Sequence, residues 1–346
     1  MTETLKEFRV SNDAMEDPEE LRRRMDEEGY VFFRKLQDPA QLWALRLEIL
    51  QVCRDGGWLE NGTDVADGVV NHSSRCTEGD TAYTDVYHEV YKLQSFHRSG
   101  HWPVVLDMME KVIGGTVLSH PQKIIRMWFP RYTKHTTPVH QDFVHFQGVF
   151  DTFTCWTPIG DCPIELGGLA VLPGSHKINH VRDHHFSLGA GSLAIDSDEL
   201  TGEWVSTDYE IGDTLLFHSL TVHKALPNQS EDRLRVSLDN RYQSMDQPIA
   251  QHMLTPHLSN LCPLSWEEVY EDWPTDELQY YWTDLDLQIL PKDESWSQTG
   301  FQEALTLASQ GDESALYHLH RSIKRDPSSD RAKAAKEVLR DLKGAI

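Results

Sequence analysis

The stretch Gly212-Asp-Thr-Leu-Leu-Phe-His218-Ser-Leu-Thr-Val-His223-Lys-Ala-Leu-Pro-Asn228, followed by Arg233-Leu-Arg235-Val-Ser-Leu-Asp-Asn-Arg-Tyr242, decides how the chain reads. Gly212-Asp213 forms a turn, Thr214–Phe217 reads as a short apolar strand, and Leu234–Tyr242 reads as a second strand. The same rhythm extends upstream. Lys123–Phe129, Val149–Trp156 and Leu169–Leu172 are β-rich runs separated by Gly, Pro, Asp and Asn turns. Short strands without alternating helical segments predict an antiparallel sandwich or barrel rather than parallel βαβ units. Its span is about residues 116–243.

On the N-terminal side, residues 1–17 are polar and expected to be loose. Pro18–Glu28 reads as a helix stopped by Gly29, and Tyr30-Val-Phe-Phe33 as a buried strand. A second helix follows Pro39, with Leu42, Leu45, Ile49 and Val52 at helical spacing. Residues 60–85 are Gly/Asp-rich and read as a long loop or lid, and Trp102–Ile113 as a third helix. On the C-terminal side, 263–346 forms an extension. Its first part, 265–290, carries Trp and Tyr among many acids, and 301–343 reads as two helices separated by a turn at Pro327–Asp330. This extension is expected to cap the barrel or to join subunits in a homo-oligomer. Residues 18–262 make the main domain.

Bulk properties narrow the function. The chain has 346 residues, a formal net charge of −23 and 39% hydrophobic residues. That charge argues against nucleic acid or an anionic membrane as a partner, and leaves a small molecule. No run of about 18 apolar residues occurs, and the N-terminus lacks the basic-then-apolar pattern of a signal peptide, so a cytoplasmic location is expected. The five cysteines are odd in number and include no C-x-x-C pair. They read as reduced structural thiols.

Pro138-Val-His140-Gln-Asp142-Phe143 places an imidazole and a carboxylate two residues apart, on one face of an extended segment. By itself H-x-D is a weak signal in a chain with eighteen histidines. A distal histidine after an apolar strand, then an arginine on the next strand, makes it far more specific. Two histidines and one carboxylate on one face suit non-haem Fe(II), leaving positions for a bidentate co-substrate and oxygen. The arginine suits a carboxylate of that co-substrate. His218 competes with His223 as the distal ligand, and Arg233 shares strand parity with Arg235.

With these residues in place, the sequence resembles the phytanoyl-CoA dioxygenase family of Fe(II)/2-oxoglutarate-dependent oxygenases. The resemblance runs from Glu27-Glu-Gly-Tyr-Val-Phe-Phe33 to about Tyr242. It includes Lys92-Leu-Gln-Ser-Phe96, His140-Gln-Asp142, Cys155-Trp156-Thr-Pro, Gly168-Leu-Ala-Val-Leu-Pro-Gly-Ser-His176-Lys, and His218-x4-His223-x4-Asn228. It implies a mainly β fold with flanking helices around a double-stranded β-helix (jelly-roll, cupin-like) core. It also implies Fe(II), 2-oxoglutarate as co-substrate, and O2. Carried over by position, His140, Asp142 and His223 match the catalytic iron ligands. Arg235 matches the anchor of the distal co-substrate carboxylate, and Lys92 and Trp156 match co-substrate contacts. Phe143, His145 and Arg126 are candidates for the substrate pocket.

Two positions depart from the family pattern. Ala225 stands where a serine often contributes a hydroxyl, and Phe129-Pro130 stands where Lys-Pro is common; Arg126 or Arg131 is a candidate for the missing charge. The implied activity is hydroxylation of an unactivated C–H in a small or medium-sized substrate, releasing succinate and CO2. Asp142 occupies the position that halogenating relatives leave open. The alternatives are a non-catalytic metal-binding or sensing module, and a zinc-dependent hydrolase.

Overall fold

A computed structural model describes residues 5–131, 133–259 and 261–344. The first part of the chain is helical except for one strand: α1 (Pro18–Glu28), β1 (Tyr30–Phe33), α2 (Pro39–Asp55), α3 (Thr81–Tyr91), α4 (Gln94–Ser99) and α5 (Pro103–Ile113). The middle is β-rich: β2 (Val117–Ser119), β3 (Ile124–Trp128), the one-turn α6 (Phe143–Phe146), β4 (Thr152–Pro158), β5 (Leu169–Val171), β6 (His185–Phe186), β7 (Leu193–Ala194), β8 (Thr214–His218), β9 (His223–Ala225), β10 (Arg235–Ser244) and β11 (Ile249–Ala250). The end returns to helix: α7 (Trp266–Tyr270), β12 (Ile289–Leu290), α8 (Ser295–Ser309), α9 (Glu313–Arg325) and α10 (Asp330–Gly344).

Two antiparallel layers form the expected jelly-roll core. The larger sheet runs β1-β8-β4-β10-β2, with β3 also paired to β10. In the smaller layer β9 lies between β5 and the backbone of residues 137–140, and Val171 of β5 bridges onward to Val205. Strand parity assigns the faces of the large sheet. Val31, Phe33, Ile125, Met127, Cys155, Leu216, Val236 and Leu238 join the core shared with the flanking helices. Phe32, Trp156, Leu215 and Phe217 belong to a second core inside the barrel. On β10 the interior face carries Arg235, Asp239 and Arg241 instead of apolar residues, and all three line one cavity.

The helix boundaries follow local chemistry. Asp17 accepts a hydrogen bond from the Glu20 amide at 3.0 Å, with Pro18 at the first helical position of α1. Gly29 ends that helix at φ +79°. A Cβ there would come within 2.5 Å of His176 Nδ1 and 2.6 Å of Thr221 Oγ1, so glycine answers both the backbone angle and the close approach.

The structure corrects several expectations. Residues 5–17 are not loose: Lys6 exchanges backbone bonds with residues 204 and 206, Ser11 bonds Phe32, and Phe8 is buried against Phe32. Residues 1–4 of that segment lie outside the described residues. The 60–85 loop is interrupted by 3-10 turns at Val65–Asp67 and His72–Ser74 and ends early, because α3 starts at Thr81. Tyr83, Tyr87 and Tyr91 stack at i, i+4 spacing along that helix, and this period overrides the polar composition before it. The stretch read as two helices, 301–343, falls in three, α8, α9 and α10. Gly311 at φ +87° and the Asp312 cap, which accepts from the Ala315 amide, break the first of them. The three pack through Ala304, Ala308, Ala315, Leu319 and Ala335, with Phe186 of β6 in the same cluster, so the extension caps the barrel.

Candidate active site

His140 and His223 face each other across an antiparallel bridge, His140 N to His223 O at 3.0 Å and His223 N to His140 O at 3.1 Å. Each ring is oriented by its own backbone. Nδ1 of His140 lies 2.8 Å from the Pro138 carbonyl, and Nδ1 of His223 lies 2.9 Å from the Thr221 carbonyl. A carbonyl only accepts, so both Nδ1 atoms carry the proton and both Nε2 lone pairs are free for a metal. Asp142 stands where α6 begins, and its Oδ1 is 3.3 Å from His140 Nε2 and 3.5 Å from His223 Nε2. The three ligand atoms lie within 4.8 Å of one another, and all three residues are buried. Gln141 points the opposite way, bonding the Leu220 carbonyl and the Arg182 amide, which fixes the orientation of its neighbours.

The donor set fits a divalent cation. Burial, and then His140, push the His223 pKa down to about 4, so its imidazole is neutral at physiological pH. Burial opposes ionisation of Asp142, yet Arg241, His223 and His140 hold it well below the usual carboxylate range. Two imidazoles and one carboxylate on one side of a pocket are the donors that Fe(II) accepts while keeping open positions.

The second oxygen of Asp142 is held by residues that the sequence reading missed. Thr154 Oγ1 donates to Oδ2 at 2.5 Å, and Arg241 Nη2 lies 3.2 Å from it. Arg241 also pairs with Asp239 at 2.8 Å and lies 3.9 Å over the Phe146 ring. Asp239 in turn faces Arg126, which pairs with Glu78. The result is a row of alternating charge, Glu78–Arg126–Asp239–Arg241–Asp142, fully buried at its Asp142 end and partly buried at Glu78 and Arg126. Its signal in the sequence was parity: 235, 237, 239 and 241 share one face of β10.

Arg235 is 1% exposed and pairs with no described acid. Its Nη1 donates to Ser237 at 2.6 Å, its guanidinium lies 5.8 Å from the Trp128 ring centroid, and its Nε has no partner. Burial lowers its pKa to about 10, which leaves it cationic at neutral pH. A buried cation with unused donors fits an anionic ligand such as a keto-acid carboxylate. Trp156, Ala225 and Leu169 line the same cavity, whose volume is about 340 Å³. Arg233 is exposed and pairs with Asp67 and Asp232, which separates it from Arg235.

Other expected positions fare differently. His145 and Arg126 line the cavity, although Arg126 is committed to Glu78 and Asp239. Lys92 does not line it. That side chain is partly exposed at the end of α3 and pairs with Glu89 at 2.7 Å, because the turn of the helix aims it at solvent. Phe143 does not line it either; its ring packs on Phe150 and Trp296. His218 pairs with Asp151 and lies outside the ligand cluster. The described cysteines are all free thiols, as expected. Among the described residues no helix is long and apolar enough to cross a membrane.

The profile described as phytanoyl-CoA dioxygenase (PhyH) matches residues 25–236. The chain belongs to the phytanoyl-CoA dioxygenase family. As a member of it, the protein is a 2-oxoglutarate-dependent dioxygenase, and its cofactors are Fe(II), 2-oxoglutarate and O2. A 1-deoxypentalenic acid 11-beta-hydroxylase from Streptomyces arenae is 29% identical over 74% of this chain and 92% of its own. The peroxisomal phytanoyl-CoA dioxygenase of Homo sapiens is 25% identical over 61% of this chain and 64% of its own. Among solved structures, apo EctD from S. alaskensis superposes with a TM-score of 0.50 at 16% identity, covering 85% of this chain and 94% of that one, and shares the fold.

Proposed function

We propose that this dioxygenase hydroxylates an unactivated C–H bond of a small or medium-sized organic substrate, with His140, Asp142 and His223 holding Fe(II) and Arg235 binding the distal carboxylate of 2-oxoglutarate. The observation that carries this reading is the convergence of three ligand atoms on a cavity that also holds a buried arginine without an acidic partner. A zinc hydrolase or a metal-binding module has no use for that arginine. The Streptomyces relative is named for a hydroxylation, which supports the same reaction type here.

Fe(II), 2-oxoglutarate and O2 together supply the oxidising power: the keto acid is converted to succinate and CO2, and one oxygen atom enters the substrate C–H bond. The chain supplies the rest. Pro138 and Thr221 carbonyls keep both imidazoles in the tautomer that presents Nε2. Arg241 and Thr154 keep Asp142 ionised and turned. Arg235 fixes one end of the keto acid, and Trp128, Trp156, Leu169 and Phe146 restrict water in the cavity. With a carboxylate at 142 no ligand position is left for a halide, so the reading is hydroxylation and not halogenation.

The test is anaerobic addition of Fe(II) and 2-oxoglutarate to metal-free protein. A weak visible charge-transfer band of the chelated keto acid is expected, absent in His140→Ala and His223→Ala and retained in His218→Ala. Bound iron without any such band would refute the assignment.

A further inference from the structure

The C-terminal extension brings a second set of cations to the cavity, apart from Arg235. Arg321 and Arg325 of α9 and Arg331 at the start of α10 all line it. None pairs with a described acid. Arg321 donates to the Glu78 carbonyl at 2.8 Å, and Arg331 donates to the Ser297 carbonyl and hydroxyl at 3.2 Å. The Arg325 side chain makes no hydrogen bond or ion pair among the described residues, and the Nε atoms of Arg321 and Arg325 are buried without partners. The nearby carboxylates are engaged elsewhere: Glu78 by Arg126, and Asp80 by the Thr77 amide.

Three guanidiniums gathered without an ion-paired partner repel one another, and Arg321 and Arg331 both disfavour the charge on Arg325. The cluster sits in a chain of net charge −23, where acids are abundant, yet among the described residues none is ion-paired with it; Glu78, Asp80 and Glu294 act on it only from beyond pairing distance. The neighbouring His318 is held neutral, its pKa pushed down to about 3 by burial first and then by these arginines. The planar forks match a carboxylate or phosphate bidentately.

We infer that the substrate carries an anionic group, a carboxylate or phosphate, and that Arg321, Arg325 and Arg331 bind it from the helical extension while the triad addresses the reacting carbon. The inference rests on the oxygenase reading of the cavity. All three arginines lie beyond residues 25–236, so the selecting residues sit outside the segment matched by the family profile.

Octanoate, octyl phosphate and octanol, titrated against the full chain loaded with Ni(II) and 2-oxoglutarate, test it without turnover. At least one anionic probe should bind about ten-fold more tightly than octanol, and weaken with added salt. The order of octanoate and octyl phosphate then distinguishes carboxylate from phosphate. Arg321→Gln and Arg325→Gln should each weaken the anion by roughly five-fold or more and leave 2-oxoglutarate affinity within about two-fold. Because Arg325 has no partner to lose, Arg325→Gln should keep or raise the melting temperature of the ligand-free protein, so it remains decisive if Arg321→Gln fails to fold. Equal binding of all three probes, or anion binding unchanged in Arg325→Gln, overturns the inference. Anion binding lost in the variants without any Fe(II)/2-oxoglutarate band in the wild type would sink the oxygenase reading and leave the anion site standing.

Discussion

Arg241 Nη2 lies 3.2 Å from Oδ2 of Asp142, while both imidazoles of the triad approach Oδ1. One carboxylate oxygen is thereby turned toward the candidate metal site and the other is held by a buried cation and the Thr154 hydroxyl. The strand that carries Arg235 at one end carries Arg241 six residues on, with the same parity. In the proposed reading, a single interior face of β10 would serve both the co-substrate and the candidate ligand Asp142.

Replacing Arg241 by Met should weaken Fe(II) binding by about 10- to 100-fold, the usual effect of losing a partner of a metal ligand. The Asp142 pKa rises when the cation is lost, so the defect should be larger at pH 6 than at pH 8. Competition titration with a metal chelator at both pH values measures this. Thr154→Val should have a smaller effect in the same direction. Wild-type affinity in Arg241→Met at both pH values would show that the pair does not support the ligand.

Arg235→Gln should weaken 2-oxoglutarate by about 2–3 kcal/mol, roughly 30- to 150-fold in Kd, as expected for losing a charge-assisted bidentate contact. Arg233→Gln and Lys92→Ala should bind it like the wild type, because both side chains face solvent acids. Calorimetric titration of 2-oxoglutarate into the Ni(II) protein distinguishes the three. A defect in Lys92→Ala equal to that of Arg235→Gln would return the role to Lys92.

Acid should destabilise the metal-free protein through histidines outside the triad. Burial pushes His97 and His120 down to about 3, against an ordinary value of 6.5. The unfolded chain binds their protons first as pH falls, so stability is complete above about 6.5 and is lost between there and about 3. The slope approaches about 1.4 kcal/mol per pH unit for each histidine. Urea unfolding at pH 7.5, 6.0 and 5.0 should show this dependence, and His97→Gln with His120→Gln should flatten it. An unchanged slope in the double variant would assign the acid sensitivity to other groups.

Gly29→Ala should cost on the order of 2–4 kcal/mol, from the left-handed backbone and from contact with His176 and Thr221. Thr221 Oγ1 donates to the Gly29 carbonyl, and the Thr221 carbonyl holds Nδ1 of His223. The variant should therefore also lower metal affinity, which a chelator titration alongside urea unfolding would detect. Full stability and full affinity together would remove the packing argument.

The triad was legible because two short patterns carry it: His140-Gln-Asp142 with period-two parity, and His223 after an apolar strand. Choosing His223 over His218 needed the family resemblance, and the structure gives the physical reason: His218 is turned to Asp151 at the barrel's rim. Arg126 was legible as a cavity residue, but its commitment to Glu78 was not, since the partners lie 48 positions apart in the chain. Lys92 and Phe143 were misplaced because motif position says nothing about which way a helical side chain points. The third helix of 301–343 was missed because Gly311-Asp312 is a break only when its φ and cap are seen.

What the sequence by itself determined is therefore whatever depends on local order: strand parity, helix caps, turn residues, and ligand spacing within one or two elements. The tertiary structure alone decided which charges meet. Glu78, Arg126 and Asp142 come from separate parts of the chain and join Asp239 and Arg241 of β10 in one largely buried row. The arginines of α9 and α10 reach the cavity lined by His140, Asp142 and His223 only because an alanine-rich helical cluster seats them there. Electrostatic partnership depends on distance in space and on burial, and neither is encoded in spacing along the chain.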